Sequence, residues 1–162
     1  MSDEPWPQPG RPAPEFSLPD ASGHTHFLAE FTGHWLVLYF YPKDLTSGCT
    51  TEALEFSALL PQFLALDAAV VGISRDTPAT HEKFIAKNDL TVLLLSDPDV
   101  AAHKAYGAWR LKKASGKETI GAVRSTFLID PDGVVRKVWP KVAKAAGHPQ
   151  AVLTALTDLA GG

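Results

Sequence analysis

The feature that most limits what this chain can fold into is residues 36–56, LVLYFYPKDLTSGCTTEALEF, which hold its one cysteine, Cys49. The segment opens with an apolar, aromatic and β-branched run over residues 36–41, a composition suited to a fully buried strand. Pro42 ends the run because it brings no ladder donor. Thr46, Ser47 and Gly48 then supply hydroxyls and a pliant backbone for a helix start. From Cys49 onward, Glu52 in the expected first turn and the mixed apolar spacing of Ala53, Leu54 and residues 56–60 predict a helix. A cysteine in the first turn of a helix, just past the C-terminal end of a buried strand, stands where open α/β sheets bind ligands.

That position has a chemical consequence. Unpaired backbone N–H groups and the helix dipole favour a thiolate over a thiol. A free thiol, with a pKa of about 8.5, is only a few per cent ionised at neutral pH, and a pKa of about 6 makes it roughly 90% ionised. The gain is therefore limited to about 30-fold, and nucleophilicity falls with the pKa. Faster chemistry needs groups that bind the reacting atoms in the transition state. Thr46 precedes Cys49 by about one helical turn, so its hydroxyl is expected to face the sulfur.

The spacing Pro42-x-x-x-Thr46-x-x-Cys49 resembles the active-site signature of the peroxiredoxins. The wider string YPKD-T-GCT-E resembles their Q-type, or bacterioferritin comigratory protein, subfamily. The likeness begins at GRPAPEFSLPDASG and runs through VVGISRD and LLSDPD to VRSTFLID, where Arg124 matches the family's remaining active-site arginine. It implies an α/β, thioredoxin-like fold: a central mixed β-sheet flanked by helices, with an N-terminal hairpin, in a single domain over residues 1–162. It also implies a thiol-dependent peroxidase without a cofactor, acting on hydrogen peroxide and organic hydroperoxides. In that mechanism the Cys49 thiolate attacks one peroxide oxygen and becomes a sulfenic acid. Thr46 hydrogen-bonds at the sulfur and the peroxide, and Arg124 stabilises the thiolate and the leaving oxygen. Glu52 orients Arg124, Pro42 shields the sulfur from bulk water, Gly48 flanks it, and the Cys49 N–H is a further donor.

Two departures from the family pattern stand out. Ser47 replaces a proline that often follows the threonine, so the loop is expected to be less rigid. Leu54 stands where many Q-type members carry a resolving cysteine. The sulfenic acid then has no partner within the chain, and an external thiol must finish each cycle: thioredoxin, glutaredoxin or a low-molecular-weight thiol. A monomer is expected ahead of a dimer joined through two copies of Cys49. The alternative is a peroxide-sensing thiol module that interacts with partners without turning over. Thioredoxin-type disulfide exchange is disfavoured because there is no Cys-x-x-Cys.

The rest of the chain supplies the frame. Residues 5–14 form a proline-rich, extended N-terminal arm. Residues 15–18 and 25–28 flank the turn signal Asp20-Ala21-Ser22-Gly23 and predict a hairpin. His24 and His26 share a strand face without a third metal ligand, so they are expected to be solvated. Pro61 is expected to kink the cysteine helix or to begin a second one. Residues 68–74 predict a central parallel strand. Asp76-Thr77-Pro78 predicts the start of a helix running to about Asn88, and residues 91–95 a further buried strand. Asp97-Pro98-Asp99 is expected to cap a short helix through Tyr106. Residues 107–118 are expected to be a solvated loop that places Trp109 near the site's rim. Residues 123–129, with Arg124 at their start, and 134–138 predict an antiparallel pair, and residues 149–159 a final amphipathic helix.

A net charge of −3 and only 20% charged residues imply no nucleic-acid or anionic-membrane partner, and no apolar run is long enough to span a bilayer. One cysteine and an N-terminus without a basic-then-apolar signal make the cytoplasm the expected location.

Overall fold

The computed structural model describes residues 6–114 and 116–161. In chain order the elements are β1 (Ser17–Pro19), β2 (Thr25–Phe27), a 3₁₀ turn (Leu28–Phe31), β3 (Trp35–Phe40), α1 (Ser47–Ala65), β4 (Ala68–Ser74), α2 (Pro78–Asn88) and β5 (Leu93–Ser96). There follow α3 (Ala101–Ala105), β6 (Trp109–Ala114), β7 (Lys117–Ala122), β8 (Ser125–Ile129), β9 (Val135–Trp139) and α4 (His148–Gly161). The main sheet has the order β5-β4-β3-β8-β9. Its first three strands are parallel, and β8 and β9 each run antiparallel to the preceding neighbour, so the sheet is mixed.

The alternation along β3 explains why both faces are covered. Val37 and Tyr39, followed by Tyr41, join Ala53, Phe56, Phe63, Phe84 and Val152 in one core, which packs α1, α2 and α4 on that face. Leu36, Leu38 and Phe40 join Phe16, Leu18, Leu28, Ala102 and Tyr106 in the other, beneath the β1–β2 hairpin and α3. A strand lying between two such layers reads as a continuous apolar run, because side chains of both parities are buried.

Pro61 lies inside one continuous α1. It lacks the N–H that would reach the Ser57 carbonyl one turn back. The Thr91 hydroxyl approaches that carbonyl at 3.5 Å, while Thr91 N–H donates to Ser57 Oγ at 3.1 Å. Thr77 caps α2 as expected, accepting from Thr80 N–H at 3.2 Å.

Four local expectations need correction. Residues 107–118 are not a loop: β6 and β7 pair as an antiparallel hairpin whose polar outer positions had masked the alternation. The cap of α3 is Val100, at φ 54°, while Asp97 reaches further in to accept from His103 N–H at 2.8 Å. Arg124 stands one residue before β8 rather than within it. His26 is not simply solvated, since its ring bridges Asp20 (2.7 Å) and Glu30 (2.9 Å) across the first hairpin. The described part of the proline-rich arm is tied to the strand β9 end of the sheet, with Gly10 N–H on Val135 O and Ala13 N–H on Gly133 O, both at 2.8 Å. Residues 1–5, which include the arm's first proline, lie outside the described residues.

Candidate active site

At the C-terminal end of β3 the chain leaves the sheet, with the Tyr41 N–H still bonded to Ile73 O at 3.2 Å. The loop over residues 42–46 then turns back into α1. Leu45 takes φ 66°, a left-handed conformation costing a branched side chain about 1–2 kcal/mol. Thr46 follows in extended backbone as the helix N-cap. The first helical bond is Thr50 N–H to Thr46 O, 2.9 Å. Ser47, Gly48 and Cys49 therefore form the first turn, where backbone N–H groups have no helical acceptor and the dipole is positive. Glu52, expected in that turn, lies in the second.

The antiparallel register of β3 with β8 pairs Phe40 with Ser125, which carries Arg124 alongside the chain as it leaves β3. Arg124 Nη2 donates to Cys49 Sγ at 3.4 Å, and Nη1 donates to Glu52 Oε1 at 2.5 Å. The Arg124 carbonyl accepts from Val142 N–H at 2.7 Å, which fixes the residue's backbone as well. Gly48 leaves the guanidinium room, since a Cβ there would stand 3.2 Å from Nη2. Cys49 is only 2% exposed. Its burial screens the sulfur from bulk water, and among the described residues the one cation in contact with it is the Arg124 guanidinium. The Arg124 side chain, 14% exposed, extends from the sulfur to the surface.

Cys49, Arg124, Glu52 and Gly48 are thus brought together. Pro42 is half-buried at the start of the loop, and Thr46 is exposed. The Thr46 hydroxyl neither caps the helix nor donates to the sulfur; it donates to Lys43 O at 2.7 Å. Having given away its one proton, that oxygen can only accept from anything else it meets. Leu54, on the same helix, is partly exposed rather than packed against the sulfur.

The charges are unequal in strength. Burial drives the Glu52 carboxyl from its ordinary value of 4.5 up to about 7, against the pull of Arg124, with Glu55 adding to the rise. Its second oxygen, Oε2, is buried without a hydrogen-bond partner among the described residues. For Arg124 burial disfavours the charge, but Glu52 and the sulfur outweigh it and raise the pKa further. His148, at the start of α4, is held down to about 4 by burial and then by the Arg124 charge, so it is neutral beside that cation at physiological pH. Its Nε2 lies 2.8 Å from Thr126 Oγ1.

Glu52 should leave a mark on stability. The folded chain holds its proton more tightly than the unfolded chain, so the benefit is complete below pH 4.5 and fades as pH rises through about 7. Relative to Glu52→Gln, the wild type is expected to lose up to roughly 3 kcal/mol between those limits. Urea unfolding of both proteins between pH 4 and pH 8 checks this; parallel stability curves would contradict it.

A thioredoxin-type fold carrying a single sulfur against a guanidinium, at the N-terminus of the helix after the first central strand, defines a thiol-reactive protein of the peroxiredoxin class. The chain belongs to the AhpC/TSA family, whose model matches residues 9–138. Among its relatives, peroxiredoxin Bcp of Xanthomonas campestris pv. campestris is 49% identical over 90% of this chain and 91% of its own length. Peroxiredoxin Bcp of Bacillus subtilis is 44% identical over 93% and 95%. A solved structure of the Xanthomonas campestris bacterioferritin comigratory protein, from work on its alkyl peroxide reduction, superposes with a TM-score of 0.85 at 46% identity, covering 90% of this chain and 92% of that one. The Xylella fastidiosa PrxQ structure, a cysteine-to-serine mutant, gives a TM-score of 0.90 at 38% identity over 97% and 99%. The Xanthomonas campestris protein has been solved with either of two cysteines replaced by serine, whereas this chain has only Cys49.

Some residues that shape the site carried no sequence signal. Asp44 stands within the string YPKD without a spacing that implies a role, and the same holds for His81 and His148. Their partners come from distant elements, so local spacing could not reveal them.

Proposed function

We propose that this thiol-dependent peroxidase works by a one-cysteine mechanism in which Cys49 is the nucleophile toward hydrogen peroxide and organic hydroperoxides. The observation that carries this reading is the 3.4 Å contact between Arg124 Nη2 and Cys49 Sγ at the start of α1. The thiolate attacks the terminal peroxide oxygen, so that an S–O bond forms and the O–O bond breaks. The bonding pair leaves on the far oxygen, which takes a proton and departs as water or alcohol, and Cys49 is left as a sulfenic acid. Arg124 stabilises the sulfur anion first and the departing oxygen next, since its fork presents several donors to one small region. Glu52 holds the fork, the Cys49 N–H is a further donor, and Gly48 keeps the approach open. Pro42 shields the sulfur, and Thr46 Oγ1 accepts a hydrogen bond from the peroxide's O–H.

An external thiol condenses with the sulfenic acid, releasing water and leaving a mixed disulfide. A second thiol then attacks that disulfide, returning Cys49 to its reduced form. We take the chain to act as a single domain over residues 1–162 and as a monomer in the cytoplasm, with thioredoxin, glutaredoxin or a low-molecular-weight thiol as reductant. The presence of one cysteine supports the need for that outside thiol. Steady-state peroxide consumption with each of these donors tests the reading. Many turnovers per protein with at least one donor are expected, and a single stoichiometric oxidation with every donor would overturn it in favour of a sensor.

A further inference from the structure

A second group of buried titratable side chains lies beside the active site and takes no part in the chemistry above. His81, on α2, is fully buried. Its Nε2 lies 3.0 Å from Leu95 O, which can only accept, so that nitrogen carries a proton. Its Nδ1 lies 2.6 Å from Oδ2 of Asp44, a residue of the loop between Pro42 and Thr46. The other oxygen of that carboxylate, Oδ1, accepts from Tyr41 OH at 2.6 Å. The Asp44 N–H in turn donates to Asp76 Oδ2 at 2.8 Å, and Ser74 Oγ donates to the same oxygen at 2.7 Å.

These bonds converge on one peptide group. The N–H of Asp44 and the carbonyl of Lys43 belong to the same plane, and that carbonyl takes the Thr46 hydroxyl proton. The N–H side is held by Asp76, and the Asp44 side chain is held by His81 and Tyr41. A hydroxyl is a free rotor unless its proton has a fixed acceptor. With the carbonyl fixed, the rotor is fixed, and the lone pairs of Thr46 Oγ1 are left for an incoming donor.

We propose that His81 is a positioning residue for peroxide reduction: through Asp44 it holds the Lys43–Asp44 peptide, which keeps Thr46 Oγ1 as an acceptor for the peroxide. The inference rests on the reading of Cys49 and Thr46 given above. The pair does not touch the sulfur, so it acts on peroxide binding and not on the sulfur's own reactivity. A reagent that attacks the same sulfur without needing Thr46 is therefore indifferent to His81.

The test compares two reactions of pre-reduced protein, oxidation by hydrogen peroxide in stopped flow and alkylation by iodoacetamide. His81→Asn retains an N–H at the δ position facing Asp44, whereas His81→Gln retains only the one facing Leu95 O. His81→Gln is expected to slow the peroxide reaction by about tenfold or more, because small misplacements of reacting groups are costly. Its alkylation rate stays within about twofold of wild type, and His81→Asn stays within about threefold in both reactions. Equal peroxide rates in the two variants, or peroxide and alkylation rates falling together, would overturn the proposal. If the His81 variants do not fold, Tyr41→Phe decides, since it removes one donor to Asp44 and keeps the ring. It is expected to slow the peroxide reaction several-fold without slowing alkylation, and an unchanged peroxide rate would overturn the proposal. Failure of the underlying reading looks different: wild-type protein itself would show no Cys49-dependent peroxide reaction.

Discussion

Cys49→Ser consumes no peroxide above the rate of the thiol donor alone, and it remains folded. The expectation follows from there being one sulfur in the chain that can form a sulfenic acid and accept a reducing thiol, since the only other sulfur belongs to the single methionine. A serine hydroxyl is not ionised at neutral pH and is a far weaker nucleophile toward an O–O bond, so no partial activity should survive. The fold tolerates the change because Cys49 lies in the first turn of α1, where a hydroxyl is at home and where Arg124 can still donate to an oxygen. Coupled peroxide assays with matched circular dichroism spectra check both parts. Residual thiol-dependent turnover in the variant would mean that the chemistry lies elsewhere.

Arg124→Met is expected to slow the reaction of reduced protein with hydrogen peroxide by about a hundredfold to a thousandfold, the cost of removing one well-placed donor to a developing oxyanion. Two losses combine. The sulfur loses its contacting cation, and the departing oxygen loses a donor. Stability changes much less. Glu52, already raised to about 7 by burial, takes up a proton once the guanidinium is gone and is not left as a buried anion. Arg124→Lys restores only part of the rate, because a point charge cannot bridge the sulfur and Glu52 as a fork does. Stopped-flow peroxide rates with matched urea unfolding check the prediction. An unchanged peroxide rate would place the source of the sulfur's reactivity outside Arg124.

Much of this protein is legible because its chemistry is written locally. The buried run over residues 36–41, the proline that ends it and the glycine before Cys49 fix a strand, a turn and a helix start within a short stretch. The resemblance of Pro42, Thr46, Cys49 and Arg124 to the peroxiredoxin pattern then names the partners, and the register Phe40↔Ser125 carries Arg124 to the sulfur. What could not be read depends on contacts made only after folding. The destination of the Thr46 proton is the Lys43 carbonyl, a backbone group that no side-chain pattern announces. His81 meets Asp44 across the C-terminal ends of the parallel strands, and its helical spacing alone reads as an ordinary core face. The hairpin of β6 and β7 was hidden for another reason: its lysines and glycines suit a solvated loop, and its strands pair with each other instead of joining the main sheet.

The most direct test of the central claim is intact-mass spectrometry of pre-reduced protein mixed with one equivalent of hydrogen peroxide, with a sulfenic-acid trap added at intervals. The account predicts one oxygen gained per chain, located on Cys49, formed much faster than on a free thiol under the same conditions and removed again when a thiol donor is added. Oxidation no faster than that of a free thiol, or an oxygen found on another residue while Cys49 stays reduced, would contradict it.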